Sequence, residues 1–174
     1  MIYLLAGNPN VGKSTFFNFM TQSHVHVGNY SGVTVEKRVH HIKNLRDANL
    51  VDLPGTYNVT PNSEDEGVVT SSLLSESYKG IINIIDSTHL KRNLHLTIQL
   101  LELGVPSLLV LNLRDALRVN GYVIDTEKLI QILKVSAVSI SAKERNREDQ
   151  VKVAEEIKML QATKGLQLDY HPTV

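Results

Sequence analysis

The chain has no cysteine among its 174 residues, which rules out disulfides and thiolate metal sites and fits a reducing compartment. It has no net charge: eighteen Lys and Arg balance eighteen Asp and Glu. The broad basic footprint of a nucleic-acid binder is missing, so no nucleic acid is expected as a partner. Its longest apolar stretches, 81–85 and 107–113, fall well short of the roughly 20 residues that cross a bilayer. The N-terminal Ile2-Tyr3-Leu4-Leu5-Ala6 lacks a basic start and a small-residue cleavage site, and reads as a first strand instead of a signal peptide. Repeats and low-complexity tracts are also lacking. What is present is ordinary globular usage, 42% hydrophobic and 21% charged, in a length suited to one domain.

Short β-rich runs alternate with helical patterns, which predicts an α/β fold with a mostly parallel sheet and helices on both faces. Six strands are expected, at 2–6, 35–42, 49–53, 81–86, 107–112 and 137–141. Five helices are expected, at 13–21, 64–78, 93–103, 126–133 and 150–163. Asp125-Thr126-Glu127 offers a helix start, and Gly104 before Val105-Pro106 a helix stop. Residues 22–34 and 56–63 lack apolar periodicity and read as mobile loops. The main domain is expected over 1–164, with 165–174 as a tail or the start of a linker.

Gly7-Asn8-Pro9-Asn10-Val11-Gly12-Lys13-Ser14, followed by Thr15, has the spacing G-x-x-x-x-G-K-S between an expected strand and an expected helix. In that context the glycines let successive backbone N–H groups face phosphates, Lys13 bridges the outer phosphates and the Ser14 hydroxyl ligates Mg²⁺. Asp52-Leu53-Pro54-Gly55 closes the third expected strand. There Asp52 can hold a water of Mg²⁺ and the Gly55 N–H can approach a γ-phosphate. Asn112-Leu113-Arg114-Asp115 ends the fifth strand, at the sheet edge where α/β ligands bind. Asp115 can accept two hydrogen bonds from guanine, whereas adenine presents the opposite pattern. Ser141-Ala142-Lys143 follows the sixth strand, with backbone groups able to touch the base. The phosphate loop is specific in its strand-to-helix context, whereas each of the other three elements alone is a common turn; their order predicts a P-loop NTPase, a three-layer sandwich that binds GTP and GDP.

These four elements resemble the GTPases of the translation-factor-like and Era-like groups. Three further stretches narrow the resemblance to the N-terminal GTPase domain of the ferrous iron transport protein B family. They are 27–37, containing Gly28-Asn29-Tyr30-Ser31-Gly32-Val33-Thr34; Asp52-Leu53-Pro54-Gly55-Thr56-Tyr57; and 83–94, from Asn83 through Asp86-Ser87-Thr88-His89 to Leu94. Tyr30 stands where that family often has Trp, and Ser31 where it often has Pro or Ala. The stretch after Lys143 lacks the usual Gly, and Leu113 replaces the Lys of many small GTPases, from which weaker binding and faster release are expected. The resemblance implies a GTPase domain at the cytoplasmic face of the cell membrane, regulating Fe²⁺ uptake. Its partners would be helical and transmembrane regions of the same protein, with oligomerisation left open.

It also implies that Gly32, Val33 and Thr34 contact nucleotide and that Thr34 ligates Mg²⁺ and the γ-phosphate. Thr56 occupies the place of the water-orienting Gln of signalling GTPases, so slow intrinsic hydrolysis is expected. Asn10 resembles the residue that holds K⁺ beside the β- and γ-phosphates in potassium-activated GTPases. The catalytic set is thus Asn10, Lys13, Thr34 and Gly55. The seven histidines do not converge: His40 and His41 alternate across a strand, and no iron site is assigned to them. Lys91-Arg92 reads as a solvated helix entrance. An Era-like GTPase of ribosome assembly or RNA modification, and a nucleotide switch without turnover, are the alternatives.

Overall fold

The computed structural model describes residues 1–30, 34–60, 63–74 and 78–160, with 23–27 and 64–65 described by backbone alone. The centre of the sheet is made by strands with continuous apolar runs. These are β1 (Ile2–Gly7), β5 (Gly80–Asp86) and β6 (Ser107–Asn112), and the last two are buried at every position. Such runs mark parallel strands covered on both faces. They pair in parallel with one another and with β4 (Asn49–Asp52) and β7 (Ser136–Ser139). On the far side of β4, β3 (Glu36–Ile42) and β2 (Thr21–Asn29) add antiparallel. The order is β2-β3-β4-β1-β5-β6-β7.

Alternation along β1 sends Tyr3 and Leu5 to one face and Leu4 and Ala6 to the other. The first pair joins a core with Phe16 and Met20 of α1 (Lys13–Met20), Ile82, Leu108 and Val110 of the sheet, and Val153 and Ile157 of α6 (Arg147–Leu160). The second pair packs with Val69 and Leu73 of α2 (Glu64–Leu74) and with Leu96 and Leu100 of α3 (Leu90–Glu102). Beyond β6, Leu109 and Leu111 meet Leu129 and Leu133 of α5 (Thr126–Leu133). The Asp125 side chain accepts from the Lys128 N–H at 2.9 Å, capping α5 as expected. Gly104, at φ 66°, closes α3.

Among the described residues the sheet has seven strands, not six. The additional one, β2, runs through the segment expected as a mobile loop. It is an edge strand of sequence TQSHVHVGN, and an edge needs no clean apolar alternation because one side of its ladder is unpaired. A sixth helix, α4 (Arg114–Val119), is six residues long, too short for periodicity to reveal. Helix α3 begins at Leu90 and α6 at Arg147, each three residues before its expected start; α2 is described over Glu64–Leu74, and 75–77 of its expected span lie outside the described residues. Thr21, expected in the first helix, opens β2. The expected tail, 165–174, lies outside the described residues, as do Gly32 and Val33. No helix among the described residues is long and apolar enough to cross a membrane.

Registers Leu5 to Asp52, Gly7 to Ile84 and Asp86 to Asn112 align the carboxyl ends of β4, β1, β5 and β6 along one edge. Chain direction across the sheet reverses at β1, with β4 on one side and β5 on the other. This is the crevice position where open α/β sheets take their ligands.

Candidate functional site

Leaving β1, the chain turns through Asn8, Pro9, Asn10, Val11 and Gly12 into α1. Asn10 and Gly12 both adopt left-handed backbone, at φ 65° and 85°. A Cβ on Gly12 would lie 2.5 Å from Asn112 Nδ2, and one on Gly7 would lie 2.7 Å from the Ile84 carbonyl. Gly12 is therefore required by conformation and by close approach, and Gly7 by close approach. No side chain caps the start of α1, so its first N–H groups are left for a ligand. Asn8, Pro9, Asn10, Gly12, Lys13, Ser14, Thr15 and Gly55 line a cavity of about 480 Å³.

Two connections bring the end of β4 to this loop. Lys13 Nζ lies 2.5 Å from Asp52 Oδ1, a pair almost withdrawn from solvent. The Thr56 N–H donates to the Gly7 carbonyl at 3.2 Å, and Gly55 sits so close that a Cβ there would lie 3.1 Å from Pro9 Cα. The Tyr30 hydroxyl donates to the Asp52 carbonyl at 3.0 Å. Burial, reinforced by the Asp52 charge, raises the pKa of this phenol and keeps it neutral. Leu53 is buried and Pro54 half-buried; Thr34, just past the undescribed 31–33, is exposed.

The Thr56 side chain is fully buried and turned inward, its hydroxyl 2.6 Å from the Asn58 carbonyl and 3.2 Å from Glu66 Oε1. Asn58 Oδ1 in turn meets His95 Nε2 at 3.1 Å, and Gln99 accepts from the Val59 N–H at 2.8 Å. This turn is thereby held to α3. Between them runs a second, larger cleft of about 720 Å³, which shares Asn8 with the phosphate-sized cavity and is otherwise lined by Tyr57, Asn58, residues 88–92 and His95.

At the other end of the edge, Asn112 is a hub. Its Nδ2 donates to the Val11 carbonyl at 3.0 Å and its Oδ1 accepts from the Ala142 N–H at 3.0 Å, tying the phosphate loop to the last loop. Ser141 Oγ donates to Asp115 Oδ1 at 2.8 Å. Leu113 holds left-handed backbone at φ 65°, and Lys143 is exposed. All the described members of the four expected motifs thus line one edge.

Between the two ends, Asp86 receives the Thr88 N–H and hydroxyl at 2.9 and 2.6 Å and His89 Nδ1 at 2.8 Å. Burial alone would raise its pKa, but these hydrogen bonds outweigh burial and hold the carboxyl below its ordinary value. Asn93 and Thr97 continue the network to Asn83, which donates to the Ala6 carbonyl. Lys91 and Arg92 are exposed in the first turn of α3.

Of the remaining histidines, His40 packs against Phe17 with tilted rings whose centroids are 4.6 Å apart, and His41 meets Asn49; the side chains of His24 and His26, and His171, lie outside the described residues. Among the described residues no three His, Cys, Asp or Glu side chains gather as a metal site. Sequence reasoning placed Arg114 in the nucleotide-binding set and Tyr30 in the first switch but did not find their bracing contacts, and it missed Asp149 altogether. Their partners are 22 and 35 residues away, and no local spacing announces such contacts.

Known proteins agree with this geometry. The family profile described as ferrous iron transport protein B matches residues 1–155. The Fe(2+) transporter FeoB of Staphylococcus aureus (strain COL) is 49% identical over 141 residues, which cover 81% of this chain and 21% of that relative. The chain therefore spans about a fifth of the length of this curated relative. The structure of the cytosolic domain of L. pneumophila FeoB superposes with a TM-score of 0.88 at 37% identity, covering 99% of this chain and 68% of that one. A mutant of S. thermophilus NFeoB bound to GDP gives a TM-score of 0.85 at 38% identity, covering 94% and 63%. With a family profile extending over most of its length, the chain belongs to the ferrous iron transport protein B (FeoB) family.

Proposed function

We propose that this chain binds GTP and GDP, hydrolyses GTP slowly, and acts as the nucleotide switch of a longer ferrous iron transporter at the cytoplasmic face of the cell membrane. Residues 1–164 form the switch domain, and helical and transmembrane regions of the same protein are its partners. The observation that carries this reading is the gathering of the Gly12 turn, the Lys13 and Asp52 pair and the Asn112, Asp115 and Ser141 cluster along one sheet edge.

In this reading the backbone N–H groups of residues 8–14 and the uncapped start of α1 receive the phosphates. Lys13 exchanges Asp52 for the outer phosphates, which offer more negative charge than one carboxylate. Ser14, Thr34 and Asp52 offer two hydroxyls and a carboxylate, a hard oxygen set that suits Mg²⁺. Held by these residues, Mg²⁺ would supply positive charge against the charge that develops on the phosphates.

Asp115 accepts from the guanine ring, Asn112 fixes the adjoining loops, and the loop of Ser141, Ala142 and Lys143 closes on the base. Gly32, Val33 and Thr34 contact the nucleotide, Thr34 responding to the γ-phosphate, while the Gly55 N–H senses the same group. Because the Thr56 hydroxyl is committed to Asn58 and Glu66, it does not orient water, and hydrolysis is slow without help. Asn10 supplies that help by holding K⁺, which adds positive charge beside the β- and γ-phosphates.

Multiple-turnover phosphate release from GTP tests the reading. Turnover that needs Mg²⁺ is expected, and is expected to vanish in Lys13→Ala. Tight GDP binding with no phosphate release would contradict hydrolysis while leaving nucleotide binding standing.

A further inference from the structure

Resting on the nucleotide reading above, we propose that Arg114 and Asp149 are positioning residues for base specificity. Their buried ion pair locks the Asp115 carboxylate and the Ser141 loop in the arrangement that distinguishes guanine from closely related purines. Neither residue would touch the nucleotide phosphates.

The pair is bidentate. Arg114 Nη1 donates to Asp149 Oδ1 at 3.0 Å and Nη2 to Oδ2 at 2.6 Å, with side chains 23% and 9% exposed. Nη1 also donates to the Ser139 carbonyl at 2.8 Å, and the Arg114 backbone N–H donates to the Ile140 carbonyl at 3.0 Å. Asp149 Oδ2 lies 3.5 Å from the Ser141 N–H. The Arg114 guanidinium, the Arg114 backbone N–H and the Asp149 carboxylate thus hold three consecutive positions of the strand-to-loop passage, the Ser139 carbonyl, the Ile140 carbonyl and the Ser141 amide in turn. From there Ser141 Oγ reaches Asp115 Oδ1 at 2.8 Å. The sequence of contacts runs from the first turn of α6, through Asp149 and Arg114, to the side chain that reads the base.

Two features point to precise placement as the purpose of this pair. Leu113, directly before Arg114, holds left-handed backbone at φ 65°, a conformation that a non-glycine residue keeps only where its surroundings over-determine it. Arg114 provides that constraint by anchoring the residue after the turn on both its backbone and its side chain. Secondly, Arg114 Nε is buried without a partner, so the guanidinium is held for the bonds of its two ends at the expense of the third nitrogen. A buried ion pair is commonly no better for stability than apolar side chains of similar volume. What apolar side chains cannot reproduce is the directional grip on the Ser139 carbonyl and the Ser141 amide.

The test is the ratio of dissociation constants for inosine diphosphate and GDP, which differ by the exocyclic amino group that a correctly placed Asp115 binds. Two variants are compared with wild type: Asp149→Asn, and the double variant Arg114→Met with Asp149→Leu, which leaves no unpaired charge buried. Wild type is expected to prefer GDP. In both variants the preference is expected to fall at least about tenfold, because GDP loses two hydrogen bonds to Asp115 and inosine diphosphate only the one from its ring N–H, with the thermal midpoint of the double variant close to wild type. Should Asp149→Asn fail to fold, the double variant decides. A double variant that folds and keeps the wild-type ratio overturns the proposal while leaving the nucleotide reading intact. A wild type that binds neither nucleotide overturns the nucleotide reading itself.

Discussion

At the phosphate end of the crevice, consecutive residues from Gly7 to Ser14 shape the cavity chiefly with backbone. At the base end, side chains drawn from Asn112, Arg114, Asp115, Ser141 and Asp149 hold one another by hydrogen bonds and an ion pair. The first construction depends on the absence of side-chain atoms at Gly7, Gly12 and Gly55, where an added Cβ meets a neighbour within about 3 Å. The second depends on side chains being present and paired. On the proposed reading the phosphate end is thus sensitive to additions and the base end to deletions, and selectivity among purines is assigned to the base end.

The largest expected effect tests the first half of that contrast. Gly12→Ala adds a methyl at a left-handed position, against Asn112 Nδ2, and is expected to weaken GDP binding by about 1,000-fold or more, near 4 kcal/mol, in equilibrium titration. Binding within a few-fold of wild type would break the claim that the loop tolerates no added atom. Asp115→Ala comes next. It is expected to cost GDP affinity about 100-fold while leaving ATP binding as poor as before, so that selectivity disappears. An equal loss for both nucleotides would instead assign Asp115 a structural role.

Asn10→Ala sharpens the comparison from within the phosphate end, because it removes a side chain from a loop built of backbone. Wild-type hydrolysis is expected to run about tenfold or more faster in K⁺ than in Na⁺, and the variant equally in both. Equal wild-type rates in the two salts would sink the potassium reading. The smallest effect is expected between the two ends, at Asp86. Asp86→Ala removes the cap of the turn at Ser87–His89 and is expected to cost about 1 kcal/mol in urea denaturation. Because the folded-state pKa of Asp86 lies below its ordinary value, its contribution is complete above the unfolded pKa of about 3.9 and is lost as pH falls through the folded value. The difference in stability between wild type and variant should therefore shrink on acidification, and a difference that grew would contradict the hydrogen-bonded carboxylate.

The same contrast decides what could be read before the structure. A site made of neighbours along the chain is visible as a string, and Gly7 to Ser14 needed only a strand before it and a helix after it. The long apolar runs of β1, β5 and β6 revealed the sheet for the same reason, since burial on both faces leaves a local signature. Strand β2 has no such signature because its outer edge is unpaired. Arg114 reads from the sequence as a nucleotide-binding residue between Asn112 and Asp115, and Asp149 as one of several charges near a helix start. Their joint role depends on α6 packing beside β6 and β7, a tertiary fact without a spacing rule. Thr56 was recognised as a poor substitute for Gln, but the inward turn of its hydroxyl toward Asn58 and Glu66 emerges only from the folded loop.

Competition at equilibrium tests the central claim most directly, with a fluorescent GDP bound to the wild-type chain in the presence of Mg²⁺ and challenged by unlabelled GDP or ADP. Displacement by GDP, with none by a hundred-fold greater concentration of ADP, is expected if Asp115 reads guanine at one end while the Gly12 loop holds phosphate at the other. Displacement by ADP at the same concentrations as GDP would mean that phosphate alone is recognised, and would contradict the division of the crevice into two ends.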